Sequence, residues 1–65
     1  MAFITVTEYA TGNKRIIRSE DIKSVEFNSR RQVTVIVFNT MVPGEDYNEA
    51  LFVADSIEEI QKQLL

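Results

Sequence analysis

Leu51-Phe52-Val53-Ala54-Asp55-Ser56-Ile57-Glu58-Glu59-Ile60-Gln61-Lys62-Gln63-Leu64-Leu65 changes its apolar period part-way along. Leu51 to Ala54 reads as a strand, and Asp55-Ser56 opens a helix. The Ser56 hydroxyl can accept from the Glu59 backbone N–H while the Glu59 carboxylate accepts from the Ser56 N–H, the reciprocal pair of a capping box. Acidic side chains at Asp55, Glu58 and Glu59 suit the positive end of a helix dipole. Ile57, Ile60 and Leu64 then fall at i, i+3 and i+7, a stripe that must lie on a sheet. A strand running into a short helix with one apolar face sets the fold class as α+β.

Upstream of this unit the chain reads as further strands. Thr40 to Glu49 is the longest connection, with Pro43-Gly44 suited to the central pair of a type II turn. Gln32 to Asn39 is the strongest strand, rich in β-branched residues, and is expected at the centre of the sheet. Asn28 to Arg31 is a polar reversal. Ser19-Glu20-Asp21-Ile22 offers a cap-like start too short for more than a turn of helix, with Ile22 pinned into the core, before Val25-Glu26-Phe27. Thr11-Gly12-Asn13-Lys14 tolerates positive φ and returns an alternating strand, Ala2 to Ala10, onto Arg15-Ile16-Ile17-Arg18 as a hairpin. The sum is a single domain over residues 1–65. Its expected architecture is a small, strongly curved, barrel-like antiparallel sheet of four or five strands with one C-terminal helix. The expected core is Ile4, Val6, Ile16, Ile22, Val25, Val33, Val35, Val37, Leu51, Val53, Ile57, Ile60 and Leu64.

Gln32 to Asn39 carries one physical anomaly. A sheet with one helix on it should be apolar on one face only, yet Ile36 and Phe38 alternate with Val33, Val35 and Val37. Both faces therefore call for cover. The sheet can curl and cover its concave side itself, or bury the second face against another copy or a protein partner. Phe38 and Phe52 are the aromatic candidates for such a contact.

Composition narrows the functions. A chain of 65 residues hides only about 60% of its unfolded surface, so its stability margin is thin and association would add to it. It contains no Cys and no His, which removes disulfides, thiolate and imidazole nucleophilic chemistry and the usual zinc sites. Ser19, Ser29 and Ser56 are explained as turn and cap residues, and no enzyme activity, cofactor or metal is expected. No apolar run approaches the roughly 18 residues of a membrane span. Met1 to Tyr9 lacks a basic leader region and reads as a strand, so a cytoplasmic location is the default expectation.

The charges are uneven. Residues 1–33 carry six basic and four acidic side chains, +2, and residues 34–65 carry one basic and six acidic, −5, together the net −3. Lys14, Arg15, Arg18, Arg30 and Arg31 lie at or near strand ends. If those ends met, they would form an anion-binding patch, the basis of an alternative reading as a nucleic-acid-binding or transcription-associated regulator. Glu45, Asp46, Asn48 and Glu49 supply oxygen ligands in the long connection, but Gly44 precedes the acids and the spacing is not that of an EF-hand. Met41 and Tyr47 in the same connection suit either a lid folded over the core, the plainer reading, or an exposed recognition tip.

Two resemblances accompany these readings. Asp21-Ile22 through Val25-Glu26, a strand, and then Phe52-Val53-Ala54-Asp55-Ser56-Ile57-Glu58-Glu59-Ile60 together resemble the FlbD-like small flagellar proteins. Those proteins are of similar length and end in a strand followed by a Ser-capped helix. The likeness takes in the Thr-rich opening strand and Gly12, and differs in the longer connection from Met41 to Asn48. It implies a flagellar role. Ile22-Lys23-Ser24-Val25-Glu26 and Ser56 to Leu64 are similar to the first half of LytTR-type DNA-binding domains, which implies contact with DNA. Neither resemblance assigns a functional residue. The residues themselves favour a small non-enzymatic interaction module that associates with itself or with a protein partner.

Overall fold

In the computed structural model, which describes residues 2–65, five strands precede one helix. They are β1 (Phe3–Thr7), β2 (Lys14–Arg18), β3 (Ile22–Asn28), β4 (Val33–Met41) and β5 (Asn48–Val53), followed by α1 (Ile57–Leu64), with a 3₁₀ turn at Ser19–Asp21. All strand pairs are antiparallel. The α+β class and the C-terminal helix are as the sequence implies, but the single barrel-like sheet is not. β1 and β2 form one two-stranded sheet, and β3, β4 and β5 form a second with β4 in the middle.

The physical reason lies along the second edge of β1. There the chain from Thr5 to Tyr9 does not meet a full strand. The Thr5 N–H donates to Gln63 Oε1 at 2.8 Å and the Thr5 carbonyl accepts from Gln63 Nε2 at 2.9 Å. The Thr7 N–H donates to Asp55 Oδ1 at 2.6 Å. Only beyond this do the two sheets touch through backbone, with Ala54 N–H donating to the Thr7 carbonyl, Tyr9 N–H to the Phe52 carbonyl, and a single bridge between Glu8 and Val53. Side chains from the helix and its approach thus stand where the next strand of a closed sheet would be, and the barrel stays open.

The local chemistry fixes most turns. Gly12 has φ +76° and Gly44 φ +82°, backbone that an L side chain seldom adopts. At Gly44 the Glu45 N–H donates to the Val42 carbonyl, closing the expected Pro-Gly turn. Both halves of the capping box form, with Glu59 N–H to Ser56 Oγ at 3.1 Å and Ser56 N–H to Glu59 Oε1 at 3.2 Å. β3 starts at Ile22 and not at Val25, directly from the 3₁₀ turn, with a register shift between Ile22 and Ser24. β4 runs on to Met41 because Asn48 Nδ2 donates to the Phe38 and Asn39 carbonyls across a second shift in register.

One cluster holds the domain: Ile4, Val6, Ile17, Ile36, Val53 and Ile60, with Ile22, Val25, Phe38 and Leu51 packed against it. Several expected core positions differ. Register pairs Ile4 with Ile17 and Thr5 with Ile16, so with Ile4 buried it is Ile17 that turns inward, while Ile16 stands 70% exposed. On β4 the buried side is that of Ile36, because its neighbours Val25 and Leu51 face the helix and the β1–β2 hairpin. Val35 and Val37 point the other way and are half-buried, although Val33 at the end of that row is buried. Leu64, at the last turn of α1, remains exposed, and Ile57 is half-buried.

Candidate interaction face

The alternation of β4 divides the three-stranded sheet into two unlike faces. Cα pairing places Val25, Ile36 and Leu51 on one row and Glu26, Val35 and Phe52 on the next, followed by Ser24, Val37 and Ala50. The row through Ile36 belongs to the core with Ile4, Val6, Ile17 and Ile60, so hairpin and helix share that side. The opposite face presents Val35, Val37, Ala50 and Phe52, interrupted by Ser24 and Glu26, with Val33 buried at its end. The molecule measures 32 × 32 × 20 Å, a thickness that two layers roughly 10 Å apart with their side chains account for. Among the described residues no third layer covers the second face.

Phe52 is 36% exposed on this face, and the Arg31 guanidinium lies over its ring with Cζ 5.5 Å from the centroid. That contact shields part of the ring and holds a positive charge at the β3–β4 end of the face. Tyr9, Ala10, Ala50 and Phe52 line a shallow groove at the β5 edge of the sheet. Of the other candidate contact residues, Met41 and Tyr47 are 49% and 56% exposed at the far end of β4 and in the connection that follows. They form a tip and not the lid. Phe38 lies on the inner row, half-buried against the core, because it pairs with Ile22; it is a packing residue and is not offered to a partner.

The basic residues do not converge. Arg15 is bound to Glu8 at 3.1 Å and Arg18 to Asp21 at 3.1 Å, the latter through two nitrogens. The Asp21 hydrogen bond and charge hold the Arg18 guanidinium above its ordinary pKa. Lys14 donates to the Thr7 hydroxyl. Arg15 and Arg18 line a groove shared with Asp21 and Glu49, whereas Arg30 lines a different one beside Glu26 and Phe27. Acidic neighbours in both grooves offset the field that a phosphate would need. The acidic residues of the long connection separate as well: Glu45 and Asp46 sit exposed in the turn, while Glu49 turns to the inner side and lines the groove with Arg15. Among the described residues no three carboxylates gather as a metal site would require, and no helix is long and apolar enough to cross a membrane.

The parts that Gln63, Asp55 and Asn48 play through backbone hydrogen bonds were not legible, since an amide or carboxylate beside an apolar stripe carries no pattern of its own. The place of Arg31 over Phe52 was equally silent, the two lying twenty-one positions apart. Comparison of the chain with protein-family models, curated proteins and solved structures gives no match.

Proposed function

We propose that the protein is a small binding module that self-associates through the outer face of the three-stranded sheet. The observation that carries this reading is the row of half-buried Val35 and Val37 with exposed Ala50 and Phe52, on a sheet whose hairpin and helix both pack on the other side. The molecule exposes 4739 Å², whereas a compact monomer of 7.5 kDa presents about 4,250 Å². A chain this small has little stability to lose, and burying aliphatic surface returns about 25 cal/mol per Å².

Three strands about 4.8 Å apart and about 25 Å long give a flat footprint of roughly 350 Å² per protomer. At about 700 Å² for both partners together this is well below the roughly 1,600 Å² of a standard interface, so association through this face alone is weak and reversible. Light scattering over a concentration series should show the mass rising from one protomer toward two, and Phe52→Asp should return it to one while circular dichroism stays native. A wild-type mass that stays at one protomer at the highest soluble concentration would refute the reading.

A further inference from the structure

The two ends of the outer face carry opposite charge. At the β3–β4 end stand Arg30 and Arg31, both exposed, with Arg31 fixed over Phe52. At the opposite end of β4 the connection to β5 exposes Glu45 and Asp46, held in place by the Glu45 N–H to Val42 carbonyl and Val42 N–H to Tyr47 carbonyl bonds. Between them β4 and β5 present Val35, Val37, Ala50 and Phe52, with Val37 opposite Ala50 close to the middle of β4, while β3 adds Ser24 and the exposed Glu26 beside Val35. A face with a positive end, an apolar centre and a negative end is complementary to itself when one copy is turned end for end.

Resting on the self-association just proposed, we infer that the partner is a second copy of this chain related by a two-fold axis lying between the sheets and across the strands. The axis passes beside Val37 and Ala50, so that β4 runs antiparallel over its counterpart. Arg30 and Arg31 of each protomer then lie over Glu45 and Asp46 of the other. The alternative two-fold, along the strands, stacks arginines on arginines and carboxylates on carboxylates, and like charges brought together in an interface are unfavourable. A two-fold contact is self-complementary by construction, so one patch satisfies both protomers and the assembly closes as a dimer. Ala50, the smallest side chain in the row, stands next to the axis, where two aligned sheets approach to about 10 Å.

The chain has no cysteine, so introduced thiols report the arrangement without background. Arg30→Cys and Asp46→Cys are made separately, and disulfide formation under mild oxidation is followed by mass for each alone and for their equimolar mixture. The mixture should yield predominantly the mixed disulfide, well above the share that random pairing gives, and each variant alone should crosslink slowly. Rapid self-crosslinking of Arg30→Cys would overturn the antiparallel arrangement.

Sedimentation equilibrium at low salt gives a second reading. Glu45→Lys with Asp46→Lys should weaken the dimer about tenfold or more, since attraction becomes repulsion at both ends. Adding Arg30→Glu and Arg31→Glu to that variant should restore most of the affinity. Dimerisation indifferent to all four reversals but abolished by Phe52→Asp, or by the gentler Ala50→Lys, leaves self-association standing and removes the end-for-end arrangement. Absence of any dimer removes both.

Discussion

Ile16 and Ile17 sit side by side in β2 and differ only in the direction the strand gives them. Ile17 is buried against Ile4 and the rest of the cluster, and Ile16 stands in solvent. Ile17→Ala should therefore cost about 2–4 kcal/mol through lost burial and the cavity left behind, while Ile16→Ala should stay within about 0.5 kcal/mol. Urea unfolding of the two variants measures the contrast. Adjacent apolar residues cannot declare from sequence which one turns inward, because alternation fixes relative direction and not absolute direction. The same ambiguity governs β4: the valine row and the Ile36–Phe38 row are both apolar, and the choice is made by Val25, Leu51 and Val53, which join Ile36 on the inner side. Ile4 and Val6 were legible because they alternate with Thr5 and Thr7, which tolerate water.

Elements whose ends are set by local chemistry follow the sequence closely. Ser56 accepts from Glu59 and Glu59 answers at the Ser56 backbone, so α1 starts where the capping box places it. Ser56→Ala should lower stability by about 1 kcal/mol, and Ser56→Asp should restore most of it, both read as shifts in the thermal midpoint. The Pro43-Gly44 turn and the Gly12 reversal were legible for the same reason, since each needs a backbone angle that glycine adopts without strain. β3 was less legible. Its first residues carry Lys23 and Ser24 among apolar neighbours, and the shift in register between Ile22 and Ser24 breaks the alternation that would have extended the strand to Ile22. The Asn48 side chain supports the far end of β4 in a manner that no periodicity announces, which is why that strand runs longer than its apolar pattern.

At the scale of the molecule, the number of strands and the position of the helix were within reach of the sequence, and the separation into two sheets was not. Separation depends on which group reaches the open edge of β1 first, and a glutamine two turns into a helix is indistinguishable from any other surface residue until the helix is docked. The second apolar row of β4, by contrast, was visible as an excess of apolar positions over what one helix can shelter. If a second copy covers that row, stability is linked to association, and the thermal midpoint should rise with protein concentration by mass action. Calorimetry over a wide concentration range reads this directly, and Ala50→Lys should flatten the dependence. Added salt should lower the midpoint of the wild-type protein toward that of the variant as the charged ends are screened.

Gln63 gives Thr5 both a donor and an acceptor, as a neighbouring strand would. A protease that removes Gln63 would leave the Thr5 N–H and carbonyl bare on that edge, while Asp55 and Ala54 still hold the Thr7 N–H and carbonyl. An edge opened there is a place where a strand of another molecule can be added. Trimmed protein would be expected to seed filaments where intact protein does not, which makes one side-chain amide the guard against open-ended growth.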